Sequence, residues 1–170
     1  MTQKEYLEVH IPHRINLLTT FFIRYGPSST LDPEKYRDFY RCSKDSSIFM
    51  VRILLGEMGI NFKRQKENLN DDISSCWKPK FNVKQLTVDE VKIDVRYSNV
   101  KIVLKAANRA IAHLEANDIN HPIKLDEDNN MLFDAISFTK EMIVEKIYLG
   151  DKKEFERIMK MPENEMNNSK

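Results

Sequence analysis

Glycine is nearly absent from this chain. Its 170 residues hold four, Gly26, Gly56, Gly59 and Gly150, and positions 60–149 contain none. A globular chain of this length usually carries about a dozen. Folds made of many short strands need glycine wherever a turn demands a left-handed backbone, so the count argues against a many-turned β-sandwich or barrel. Whole chemistries go with it. Four scattered glycines make neither a dinucleotide fingerprint nor a P-loop, and no pair brackets a serine as in a nucleophile elbow.

Helical periodicity fills the space that glycine leaves. Ile15, Leu18, Phe22 and Tyr25 step by three or four, and Pro12 fits a first helical turn, where its missing N–H is no loss. Residues 4–11 are open to a short preceding helix or an extended arm. Asp32-Pro33-Glu34 reads as a helix start, with Tyr36, Phe39 and Tyr40 following on one side. Asp45-Ser46-Ser47 predicts a break or kink, after which Ile48, Val51, Leu54, Leu55 and Met58 form a stripe. Segment 61–86 is the least organised. Thr87 and Glu90 match a capping box, yet Val91, Ile93, Val95 and Tyr97 alternate as in a strand, so a short helix and a two-strand flap both stay open. A slim, alanine-rich helix is predicted over 99–116 and another over 131–149, capped by Asn129 or Asn130. Asp151 caps a short last helix carrying Phe155, Ile158 and Met159. Gly26, Gly59 and Gly150 each fall where a helix stops.

The expected fold is all-α: an up-and-down bundle of four main helices with short extra helices and an irregular segment at about 61–97. Residues 1–160 are expected to form a single helical domain and 161–170 a flexible tail.

Charge excludes a long-range field. Lys and Arg total 27 against 26 Asp and Glu, a net +1, so nucleic acid or an anionic membrane is met only through a local patch. Cys42 and Cys76 stand 34 positions apart and make no CxxC pair, as in a reducing cytoplasm. The opening MTQKEYLEVH has no apolar core of a signal peptide, and no apolar run reaches membrane length. The expectation is a cytoplasmic protein without membrane contact, cofactor or metal.

The most chemical stretch is Asn108-Arg109-Ala110-Ile111-Ala112-His113-Leu114. It resembles the motif of the HEPN superfamily of small helical bundles, in which an Arg, often followed by Asn, precedes an Ala-His pair on a late helix. The resemblance implies a metal-independent endoribonuclease, usually dimeric. Arg109 would steady charge on the phosphate, a task suited to a planar guanidinium, and His113 would move a proton of the 2′-OH. The spacing departs from the family pattern, which has four to six residues between Arg and His where this chain has three. Aligned at the common four-residue spacing, Asn108 takes the Arg position and brings no charge. The resemblance therefore points first to a bundle that kept the fold, lost the catalysis and acts by binding RNA or protein. An active RNase of defence or toxin–antitoxin type is the second possibility, since Arg109 and His113 share a helix face. An oligomeric bundle unrelated to RNA is the third.

Other constellations are less pointed. Trp77, Lys78 and Lys80, within a basic and aromatic run, suit single-stranded RNA or simply pack as a flap. His10 and His13 have no further ligands beside them and read as residues of a helix entrance. Tyr6, Tyr25, Tyr36, Phe39 and Tyr40 line a pocket, a core or a dimer interface.

Overall fold

The structure, a computed structural model, describes residues 1–63, 72–76, 81–115 and 129–160, apart from the side chains of 63 and 109–115. Over these the chain is mostly helical, with a two-stranded antiparallel sheet.

The first helical run is continuous. α1 (Gln3–Glu5) starts in a capping box, Thr2 accepting from the Glu5 N–H while the Glu5 carboxylate accepts from the Thr2 N–H. A π-helical turn (Tyr6–His10) follows, and α2 (Ile11–Tyr25) carries on without leaving helical backbone. Pro12 thus does not open a helix; it lies inside one. A proline there gives no donor to the carbonyl four residues back, that of Glu8, and crowds it. The wider π turn sits where that conflict falls. It passes the Ile11 N–H to the Tyr6 carbonyl, so the Leu7 carbonyl loses its usual α-helical donor. The Tyr148 hydroxyl, 141 positions along the chain, donates to it at 2.8 Å.

α2 ends at Gly26, where a Cβ would stand 2.3 Å from the Phe22 carbonyl oxygen. Asp32 accepts from the Glu34 N–H at 2.9 Å, but residues 33–36 make a turn and α3 runs Arg37–Glu57. The break predicted at Asp45-Ser46-Ser47 is not there. Ser47 is buried and donates to the Leu18 carbonyl of α2 at 2.8 Å, so a residue that would favour a turn in water ties two helices together.

Gly59, at φ +100°, turns the chain out of α3. β1 (Ile60–Lys63) pairs with β2 (Asp72–Ser75), with Phe62 opposite Ile73 and both buried. The segment expected to be irregular therefore holds a hairpin. It also holds α4 (Val88–Lys92), whose Thr87–Glu90 capping box decides the helix-or-strand ambiguity. Ile93 and Val95, half of the apparent strand pattern, are 83% and 96% exposed.

α5 (Tyr97–Glu115) and α6 (Asn130–Met142) follow. The helix predicted to run to 149 changes at Ile143–Ile147 into a second π turn. Asn129 precedes α6 in left-handed backbone, and its side chain does not cap. It instead accepts from the Lys44 ammonium and donates to the Tyr40 hydroxyl. α7 (Lys152–Met159) has the predicted Asp151 cap.

α2 packs along α3, α5 along α6, and α3 against both α5 and α6. Leu18, Phe21, Ile48, Val51, Leu55, Val103, Leu104, Ala107, Leu132, Ile136 and Phe138 fill the space between them. The second π turn brings a lysine inside as well. Lys146 is fully buried between Glu90 at 2.6 Å and Glu145 at 2.8 Å, and its carbonyl accepts from the Lys84 N–H at 2.8 Å. Burial opposes its charge, but the two carboxylates outweigh that and raise its pKa. In return Lys146, with the Thr87 amide, draws Glu90 down to about 2.

Tyr148→Phe is expected to leave the Leu7 carbonyl without that hydroxyl and to lower unfolding free energy by about 1–3 kcal/mol. Urea unfolding measures it; a loss under about 0.5 kcal/mol would mean that water serves the carbonyl equally well.

Candidate functional site

The resemblance motif lies in the last turns of α5, beside the hairpin. Arg109 and His113 are one helical turn apart on that backbone, and positions at this spacing share a side of the helix. Their side chains lie outside the described residues, as do Trp77, Lys78 and Lys80 altogether.

Asn108 is described. It is half-buried, and its side-chain amide donates to the Phe62 carbonyl of β1 at 2.9 Å. The residue that takes the Arg position at the common spacing is thus a strut between α5 and the hairpin. An uncharged amide occupied in this way offers a phosphate little.

Asp72 holds the other strand. It receives the Tyr97 hydroxyl at 2.7 Å and the Lys92 ammonium at 3.0 Å, with Lys101 at 3.8 Å. Burial pushes its carboxyl up, but hydrogen bonds from Tyr97, Lys92 and the Ile73 amide prevail and hold it at about 2. Desolvation and Asp72 push Tyr97 to about 12, so it stays a donor. The hairpin is therefore docked twice, by Asn108 on β1 and by Asp72 on β2. Sequence reasoning missed Asp72, because its partners lie on α4 and α5 and share no local spacing with it.

A second polar group lies at the end of α3. The Tyr6 hydroxyl donates to Glu57 Oε2 at 2.7 Å, and Arg14 pairs with Glu57 Oε1. Burial first, then Glu57, raises the Tyr6 pKa. Phe81 stacks on the Tyr6 ring, centroids 4.8 Å apart. A cleft of about 370 Å³ opens nearby, lined by Gln3, Leu7, Glu8, Tyr148, Glu154 and Ile158 among others. Tyr6 thus stands apart from the other aromatic residues named from sequence. Tyr25 and Tyr40 pack with Phe21, Phe39 lies against Tyr25, and Tyr36 is exposed.

Among the described residues no three His, Cys, Asp or Glu side chains group as metal ligands, and no helix is long and apolar enough to cross a membrane. His10 lies 3.9 Å from Glu5 on the first helical run. Compared with known proteins, the chain matches no family model, no curated protein and no solved structure.

Two outcomes test the docking of the hairpin. Asn108→Ala is expected to cost about 1 kcal/mol and to speed amide exchange in 60–63 and 72–75. Unchanged exchange would remove Asn108 as a strut. Asp72, held below its ordinary value, adds stability above that value, which is lost as pH falls from about 5 through 2. Wild type should exceed Asp72→Asn by about 1 kcal/mol at pH 6, discounted for partial exposure, and the difference should shrink as pH falls below about 4 and through about 2. A difference independent of pH would refute the charge.

Proposed function

We propose that this chain is a HEPN-like helical module that binds RNA without cutting it. In this proposal α2, α3, α5 and α6 form an up-and-down bundle that pairs with a second copy. The observation that supports loss of catalysis is Asn108. At the common family spacing it stands in the Arg position, it carries no charge, and its amide is engaged by the Phe62 carbonyl. A transition state with charge gathering on phosphate oxygens needs a cation there. Binding asks less. Arg109 and His113 on one side of α5, next to a hairpin whose first strand ends in Lys63 and whose connecting sequence carries Arg64 and Lys66, suit phosphate contacts.

Fluorescence anisotropy with a labelled single-stranded RNA, run beside a cleavage assay in EDTA, tests this. Intact RNA, affinity that falls with salt, and a loss of about tenfold in Arg109→Ala are expected. Cleavage that His113→Ala abolishes would replace the proposal with an active RNase. Absence of RNA affinity would overturn it and leave protein binding. Sedimentation tests the pairing of copies.

A further inference from the structure

We propose that Phe81 fills a stacking slot for a nucleobase, guanine above all, built by the ring of Tyr6 and the carboxylate of Glu57; this rests on the RNA-binding proposal. The two stacked rings differ in setting. Tyr6 is 3% exposed and belongs to the interior, whereas Phe81 is 36% exposed and lies at the rim. Their planes are 29° apart, a stacked rather than edge-on contact. Phe81 holds it from a left-handed backbone, φ +56°, which a residue with a bulky side chain rarely adopts. Its ring is kept on Tyr6 against a backbone preference.

The chain beyond Phe81 shows how it could leave. Lys84 N–H bonds to the Lys146 carbonyl and Leu86 N–H to the Met58 carbonyl, each at 2.8 Å. Nearer Phe81, Asn82 reaches Gln3 through a long 3.4 Å bond. Residues 84–86 are thus fastened, and a swing of Phe81 leaves their bonds in place.

Withdrawal of Phe81 uncovers a flat ring with a carboxylate at its hydroxyl edge. Each carboxylate oxygen accepts more than one hydrogen bond, and Tyr6 and Arg14 take one on each. A planar ligand with N–H donors on its edge satisfies both features. Guanine has two parallel donors, N1–H and the exocyclic amine, that match a carboxylate. Uracil has one N–H between two carbonyls that a carboxylate repels.

GMP and UMP titrated into wild type, Phe81→Gly and Phe81→Gly/Tyr6→Leu, followed by calorimetry, test the slot. Glycine accepts φ +56° without strain, so Phe81→Gly is expected to fold, with far-UV circular dichroism and thermal unfolding as checks. It should bind GMP about tenfold or more tighter than wild type, prefer GMP to UMP, and lose the gain with Tyr6→Leu. Folded Phe81→Gly that binds GMP no tighter than wild type overturns the slot, and so does a gain that survives Tyr6→Leu. Should the double variant not fold, Phe81→Gly/Glu57→Gln decides: loss of the preference for GMP supports the slot and an unchanged preference overturns it. Wild-type RNA binding through Arg109 with no GMP gain refutes the slot alone. A GMP gain without wild-type RNA binding refutes the RNA proposal and makes the slot one for a free nucleotide.

Discussion

Pro12 has no N–H to give, and the bond from the Tyr148 hydroxyl to the Leu7 carbonyl completes what that lack begins. The first π turn moves the Ile11 N–H to Tyr6 and opens a carbonyl to the rest of the protein. The donor that fills it stands directly after the second π turn. The second π turn passes the Tyr148 N–H to the Ile143 carbonyl, and the Gly150 N–H donates to the Val144 carbonyl that this leaves. The Lys146 carbonyl, in the last turn of that helix, accepts from the Lys84 N–H. Together these bonds join the start of the chain, the end of the last long helix and the segment that follows the hairpin. π turns recur where a helix must serve something other than its own regularity.

Charge is handled in the same way, by groups that complete one another across elements. Burying a lone ammonium is costly, and Lys146 is tolerable inside only because Glu90 and Glu145 reach it. Glu90 at the same time closes the α4 capping box, so the start of α4 is tied to the π turn that follows α6. Arg96 makes a comparable node, bonded to Asp94 and Glu141 and lying over the Phe138 ring at 5.3 Å. These networks tie short elements to the helical core.

The residues on which the proposed function rests sit around the hairpin and the segment after it. Asn108 and Asp72 hold the hairpin to α5 and α4. The following residues cross from Phe81 on Tyr6 to Leu86 at the end of α3. The motif that resembles the HEPN pattern thus borders the one sheet among the described residues, and the amide nearest to it is structural.

Much of the helical layout was legible in the sequence because apolar spacing and capping are local. The stripe from Ile48 to Met58, the Asp151 cap and the Thr87–Glu90 box follow from residues within a few positions of one another. Local signals failed where distant partners reversed them. Ser47 predicts a break and instead bonds to Leu18. Asn129 predicts a cap and instead meets Tyr40 and Lys44. Pro12 predicts a start and lies inside a helix relieved by a π turn. By itself the sequence determined a glycine-poor helical chain with its stops at Gly26, Gly59 and Gly150, because backbone preference and period need no partner. Only the tertiary structure decided that Asn108 is a strut, that Asp72 and Lys146 are anchors, and that Phe81 rests on Tyr6. A polar or aromatic side chain takes its role from what stands opposite it, and what stands opposite is set by the fold.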